Sequence, residues 1–70
     1  GGSSGTIFNA ANEIAVQNFL EDRITFNKIY EVIYRTFDAI PLSDNIDIDA
    51  IYEIDNQTRM EAKKVVKSLS

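Results

Sequence analysis

Apolar residues return along the middle of the chain at the repeat of a helix. Phe26, Ile29, Ile33, Phe37 and Ile40 follow one another at steps of 3, 4, 4 and 3, which keeps them on one face of an α-helix. Tyr30, Val32 and Tyr34 widen that stripe. Thr25 offers an N-cap, so the spacing predicts a helix over about Asn27–Ala39. Pro41 stops it, because the residue before a proline, here Ile40, is pushed out of the α conformation. Upstream, Ala11, Ile14, Ala15, Phe19 and Leu20 have the same spacing and predict a first helix from about Ala10 to Glu21. Asn9 is placed to cap it, and Phe8 to staple against Ile14 one turn on. Ala10, Ala11 and Ala15 are small enough to let another backbone come close. Glu21-Asp22-Arg23 is a polar break between the two helices.

After a loop over Leu42–Ile46, Asp47 caps a short helical segment, about Ile48–Ile54, with Ile48, Ile51 and Tyr52 facing inward. Asp55 then caps a last helix, about Asn56–Leu69. Ala62, Val65, Val66 and Leu69 form its apolar face, with Met60 nearby. Lys63, Lys64 and Lys67 crowd its C-terminal half, where cations suit the helix dipole. The alternation Ile46-Asp47-Ile48-Asp49 is too short to stand as a strand. The expected fold class is all-α, a small antiparallel bundle of three main helices plus a short helical segment.

All three glycines fall within Gly1–Gly5, which reads Gly-Gly-Ser-Ser-Gly, a flexible-linker composition. Residues 1–6 are therefore expected to be a linker or expression scar, with the domain over 7–70. No initiator Met is present, which suggests a fragment.

Size and charge narrow the function classes. A chain of 70 residues holds one domain, and a domain this small buries only about 60% of its unfolded surface. It needs a staple, very good packing or a partner surface. With no Cys and no His, a disulfide and the usual zinc sites are excluded. Seven Lys and Arg against 11 Asp and Glu give a net charge of −4. That balance opposes binding to nucleic acid or to an anionic membrane surface. No apolar run approaches the ~20 residues of a membrane span, and no signal peptide is visible.

Candidate chemistry is sparse. Asn45, Asp47 and Asp49 fit positions 1, 3 and 5 of a calcium loop, but Ala50 stands where Gly is needed and Asn56 where a bidentate Glu is needed. Caps and a solvated acidic loop account for these residues better. No His serves as a base, no Cys as a nucleophile, and no Gly-rich phosphate loop follows residue 5. No catalytic, cofactor-binding or metal-binding residue is assigned. The run Asn9-Ala10-Ala11-Asn12-Glu13 is different: one cap suffices for a helix, and Asn is a mediocre helix former. Asn12 and Glu13 either complete the first turn or reach a neighbouring domain.

The stretch Phe8-Asn9-Ala10-Ala11-Asn12-Glu13-Ile14-Ala15-Val16, with Phe19-Leu20, Arg23-Ile24, Phe26 and Ile29 after it, resembles the C-terminal domain of 1-deoxy-D-xylulose 5-phosphate reductoisomerase. Asp55, Arg59 and Ala62 resemble the Asp-x-x-x-Arg-x-x-Ala pattern of that family's last helix. The likeness covers Ile7–Ser70. Asp22 and Thr25 depart from it, since the family usually has Gly at both positions. The resemblance implies a bacterial, cytoplasmic parent enzyme, expected to be a homodimer, with an NADPH-binding domain, a catalytic domain and this helical domain. Such an enzyme uses NADPH and a divalent metal, Mg or Mn, to make 2-C-methyl-D-erythritol 4-phosphate on the non-mevalonate route to isoprenoids. The ligands of metal, substrate and NADPH belong to the other two domains, which are this chain's implied partners. Asn9, Asn12, Glu13, Asp55 and Arg59 carry over as structural or domain-docking residues. Asp55 is expected to cap its helix, and Arg59 to pair with a nearby acid. A domain of this kind should expose an apolar patch around Phe8–Ile14, where the rest attaches. A free-standing helical interaction module is the alternative reading.

Overall fold

The computed structural model describes residues 2–44 and 47–70. Its helices are α1 (Ser4–Leu20), α2 (Lys28–Ala39) and α3 (Ile48–Leu69), and there is no strand among the described residues. Direction follows from which ends meet. Ser3, just before α1, is bonded to Ser43 beyond α2. Phe19, late in α1, meets Phe26 just ahead of α2, edge to face with ring centroids 5.5 Å apart. Leu69 shares a recess with Phe19 and Phe26, while Met60 and Lys64 share one with Ile40 and Pro41. Consecutive helices are therefore antiparallel, and α1 and α3 run parallel to each other. The expected all-α bundle is what forms.

Small side chains set its tightness. Ala10, Ala11, Ala15 and Ala62 are fully buried, and small buried side chains let packed helix backbones come close. Ile14, Ala15, Ile24, Val32, Ala62, Val65 and Val66 form the central cluster, and Phe19, Ile29, Ile33 and Leu69 pack on its edge. Each fully buried Ile or Val contributes about 1.5–3 kcal/mol over leaving it in water.

α1 starts six residues earlier than the spacing predicts. Ser4, Gly5 and Thr6 are helical, Ile7 is fully buried, and Ser3 is 2% exposed. The expected lead-in is thus helical from Ser4 onward; Gly1 lies outside the described residues. Burial of Ile7 overrides the weak helix propensity of Gly5 and the serines. Asn9 is consequently in mid-helix and caps nothing, and Phe8 is half-exposed and staples nothing.

α1 ends in a Schellman turn. The Asp22 N–H donates to the Phe19 carbonyl at 3.0 Å and the Arg23 N–H to the Asn18 carbonyl at 2.9 Å. Asp22 takes the left-handed conformation this turn requires, φ 61°, which explains why glycine suits the position. Asn27, the N-cap of α2, makes no side-chain cap bond; Thr25, the expected cap, supplies its carbonyl to the Lys28 N–H instead. Ile40 is extended, as its place before Pro41 demands.

The short segment and the last helix are one helix. Asp47 caps it, accepting from the Ala50 N–H at 2.8 Å; Asn45 and Ile46, also drawn into the loop and calcium-loop readings, lie outside the described residues. No Gly or Pro interrupts Ile48–Leu69, so nothing in the backbone forces a break at Asp55. The buried stripe of α3 is Thr58, Ala62, Val65 and Val66. Traced backwards, it passes through half-buried Ile54 and Ala50. Ile48, Ile51 and Tyr52, expected inward, are exposed.

Candidate functional site

Asp55 and Arg59 stand one turn apart on α3, the i,i+4 spacing at which side chains meet. The Arg59 Nε donates to Asp55 Oδ2 at 2.8 Å, and its Nη2 to Asp55 Oδ1 at 3.4 Å. The guanidinium fork thus grips one carboxylate with two bonds. The same Nη2 donates to Glu13 Oε2 on α1 at 3.2 Å. Expected to cap, Asp55 instead anchors a three-residue bridge across the α1–α3 seam. The hydrogen bond to Asp55, followed by the one to Glu13, raises the Arg59 pKa above its already high ordinary value. The group stays charged wherever the protein is folded.

The bridge brings three of the five singled-out residues together. Asn12, beside Glu13 and half-buried, lines a shallow recess with Glu13, Val16, Gln17, Leu20 and Glu21. Asn9 is exposed and stands one turn before Glu13 on α1. Asn18, which no motif singled out, is buried: its Nδ2 donates to the Ile14 carbonyl at 2.8 Å, and its Oδ1 accepts from Arg23 Nη1 at 3.2 Å. Arg23 also pairs with Glu21. These bonds tie the end of α1 to the turn that follows.

Within Phe8–Ile14, Phe8 is half-exposed, but Ala10, Ala11 and Ile14 are buried. Exposed apolar side chains also occur on α2, where Tyr30 and Tyr34 face water, and at the start of α3, where Ile48, Ile51 and Tyr52 do. The spacing assigned Tyr30 and Tyr34 to the core stripe, because periodicity defines a face without saying how wide its covering will be.

The DXP reductoisomerase C-terminal domain family model matches residues 1–61. The chain belongs to this family. A 1-deoxy-D-xylulose 5-phosphate reductoisomerase of Buchnera aphidicola subsp. Acyrthosiphon pisum is 45% identical over 69 residues, covering 99% of this chain and 17% of that protein. The enzyme of the same name from Halothermothrix orenii is 42% identical over 65 residues, 93% of this chain and 17% of that protein. That of Shewanella frigidimarina is 40% identical over 70 residues, 100% of this chain and 18% of that protein. The chain thus spans less than a fifth of the length of these relatives. No solved structure matches it.

Among the described residues no group of three or more Asp, Glu, His or Cys could hold a metal ion. Glu13 and Asp55, the carboxylates at the bridge, are already held by Arg59. Among the described residues this donor set does not fit a metal ion. The Arg59 bonds to Asp55 and Glu13 link α3 to α1.

Proposed function

We propose that the chain is the non-catalytic supporting domain of a 1-deoxy-D-xylulose 5-phosphate reductoisomerase. The family match over residues 1–61, joined to the 17–18% of each relative that the chain spans, carries this reading. The parent's use of NADPH and a divalent metal (Mg or Mn), its pairing as a homodimer and its place in the bacterial cytoplasm rest on the resemblance to the family. The catalytic and NADPH-binding domains of the same polypeptide are the partners. Residues 2–6 are assigned to this domain, a reading supported by helical residues 4–6 and buried Ser3.

Within the domain, Glu13, Asp55 and Arg59 hold α1 against α3, and Asn9 and Asn12 present amides beside that bridge for contact with the rest of the enzyme. The test compares the full-length enzyme with one lacking this domain, following NADPH oxidation with 1-deoxy-D-xylulose 5-phosphate and Mg or Mn. Loss of turnover on deletion is expected. Undiminished turnover without the domain, or turnover by this chain alone, would overturn the reading.

A further inference from the structure

One face of α2 is apolar and uncovered. Tyr30 is 73% exposed and Tyr34 61% exposed, their rings 6.2 Å apart along the helix. With Ile33, Phe37, Ile40 and exposed Leu42 they line a single groove whose charged member is Asp38. Two large aromatics and a leucine held together in water mark a contact surface. The neighbouring Glu31 is held by Lys28 and Arg35, each at 3.3 Å. Asp38 has no ion pair among the described residues, so the groove ends on an uncompensated negative charge.

The structure also fixes where the polypeptide arrives. The Ser3 N–H donates to the Ser43 carbonyl at 2.9 Å, and the Ser43 N–H donates back to Ser3 Oγ at 2.9 Å. Gly2 lies so close that a Cβ there would stand 2.3 Å from the Ser43 oxygen. Leu42, next to Ser43, is the last wall of the groove. Gly2 is thus held at the Leu42 end of the apolar face. A C-terminal domain has the rest of its polypeptide ahead of it, and these relatives are matched over only 17–18% of their length.

We propose that the α2 groove is the seat of the stretch of the same polypeptide leading into Gly2. Its apolar side chains cover Tyr30, Tyr34 and Leu42, and a Lys or Arg on it meets Asp38. The proposal rests on the chain's being one domain of a longer reductoisomerase.

The test uses the full-length enzyme with its other cysteines replaced, carrying Tyr34→Cys. A second variant, Tyr30→Cys, guards against loss of folding at one position, and Lys63→Cys on exposed α3 serves as the accessible control. Alkylation at position 34 or 30 roughly tenfold or more slower than at position 63 is expected, because a covered site labels only on local opening. A benzophenone attached at position 34 should cross-link to a peptide just ahead of Gly2 within one polypeptide. Alkylation as fast as at position 63 would overturn the proposal. So would a cross-link between light and heavy copies in an isotopically mixed sample, or one to a remote part of the enzyme. If NADPH turnover survives deletion of the whole domain, the supporting role itself fails. If turnover needs the domain yet position 34 labels freely, only the docking assignment falls.

Discussion

Arg59 on α3 reaches Glu13 on α1 at 3.2 Å while the same guanidinium holds Asp55 in a two-bond grip. The two contacts differ in exposure. Glu13 is 65% exposed, whereas Asp55 is 29% exposed. A double-mutant cycle on Glu13→Gln and Arg59→Gln should therefore give a coupling of only about 0.2–1 kcal/mol, shrinking as salt is added. Asp55→Ala should leave the helix content measured by circular dichroism unchanged, because Asp55 lies inside α3. A drop in helicity with separate melting of 48–54 would restore the two-helix reading.

Glycine-to-alanine substitutions should have opposite signs at two positions. Gly5 is in α1 with open space around an added Cβ, so Gly5→Ala should stabilise by about 0.5–1 kcal/mol. Gly2 has φ 61°, and its Cβ would strike the Ser43 carbonyl. Gly2→Ala should destabilise by at least the ~1–2 kcal/mol of the left-handed conformation. Thermal melts resolve both, since 1 kcal/mol moves Tm by about 4–8 °C in a domain of this size.

Asp22 pays the same conformational penalty natively, with φ 61° at the Schellman turn. Asp22→Gly should raise stability by up to ~1 kcal/mol. Chemical denaturation with an unchanged m-value would assign the gain to the turn; a lower midpoint would show that the Asp22 side chain contributes more than its backbone costs.

Thr36 is fully buried on α2, and its Oγ1 has no hydrogen-bond partner among the described residues. A buried hydroxyl without a partner costs about 1–3 kcal/mol. Thr36→Val keeps the branched shape and removes the hydroxyl, so it should raise Tm, whereas Thr36→Ala, which opens a void, should lower it. A lower Tm for the valine variant would reveal that the hydroxyl is bonded in solution.

Stability should also fall in acid through Glu31. The Lys28 hydrogen bond, then the Lys28 charge, and then Arg35 lower its pKa below the ordinary 4.5. Folding thus favours the ionised form. The contribution is complete above pH 4.5 and is lost as pH falls through the lowered value. Glu31→Gln should flatten the dependence of Tm on pH below 4.5 and leave its shape above unchanged. An identical acid limb in both proteins would remove Glu31 from the account.

Much of the bundle was legible because helix periodicity is local. Ile14, Ala15, Val32, Ala62, Val65 and Val66 could be picked as core from spacing alone, and Pro41 dictated the end of α2 by sterics within two residues. The start of α1 was not legible: Ser and Gly at positions 2–5 read as linker, and only Ile7 and the Ser3–Ser43 clasp draw them into the fold. The join within α3 was hidden for the opposite reason. Asp55 has the chemistry of a cap, and only the guanidinium one turn on shows that its oxygens are otherwise engaged.

The order of residues alone settled the all-α class, the three helical stripes, the absence of Cys and His, and the Asn9–Glu13 run that resembles one family. These depend on residue type and on contacts a turn apart. Tertiary structure decided the rest: the pairing of Glu13 with Arg59 across 46 positions, the clasp between Ser3 and Ser43, and the outward placing of Tyr30 and Tyr34 on a stripe that spacing had turned inward. A helix repeats its faces every few residues whatever lies beside it. Which edge of a face stays wet depends on how much surface the neighbouring helices can cover, and three helices cover only part of α2.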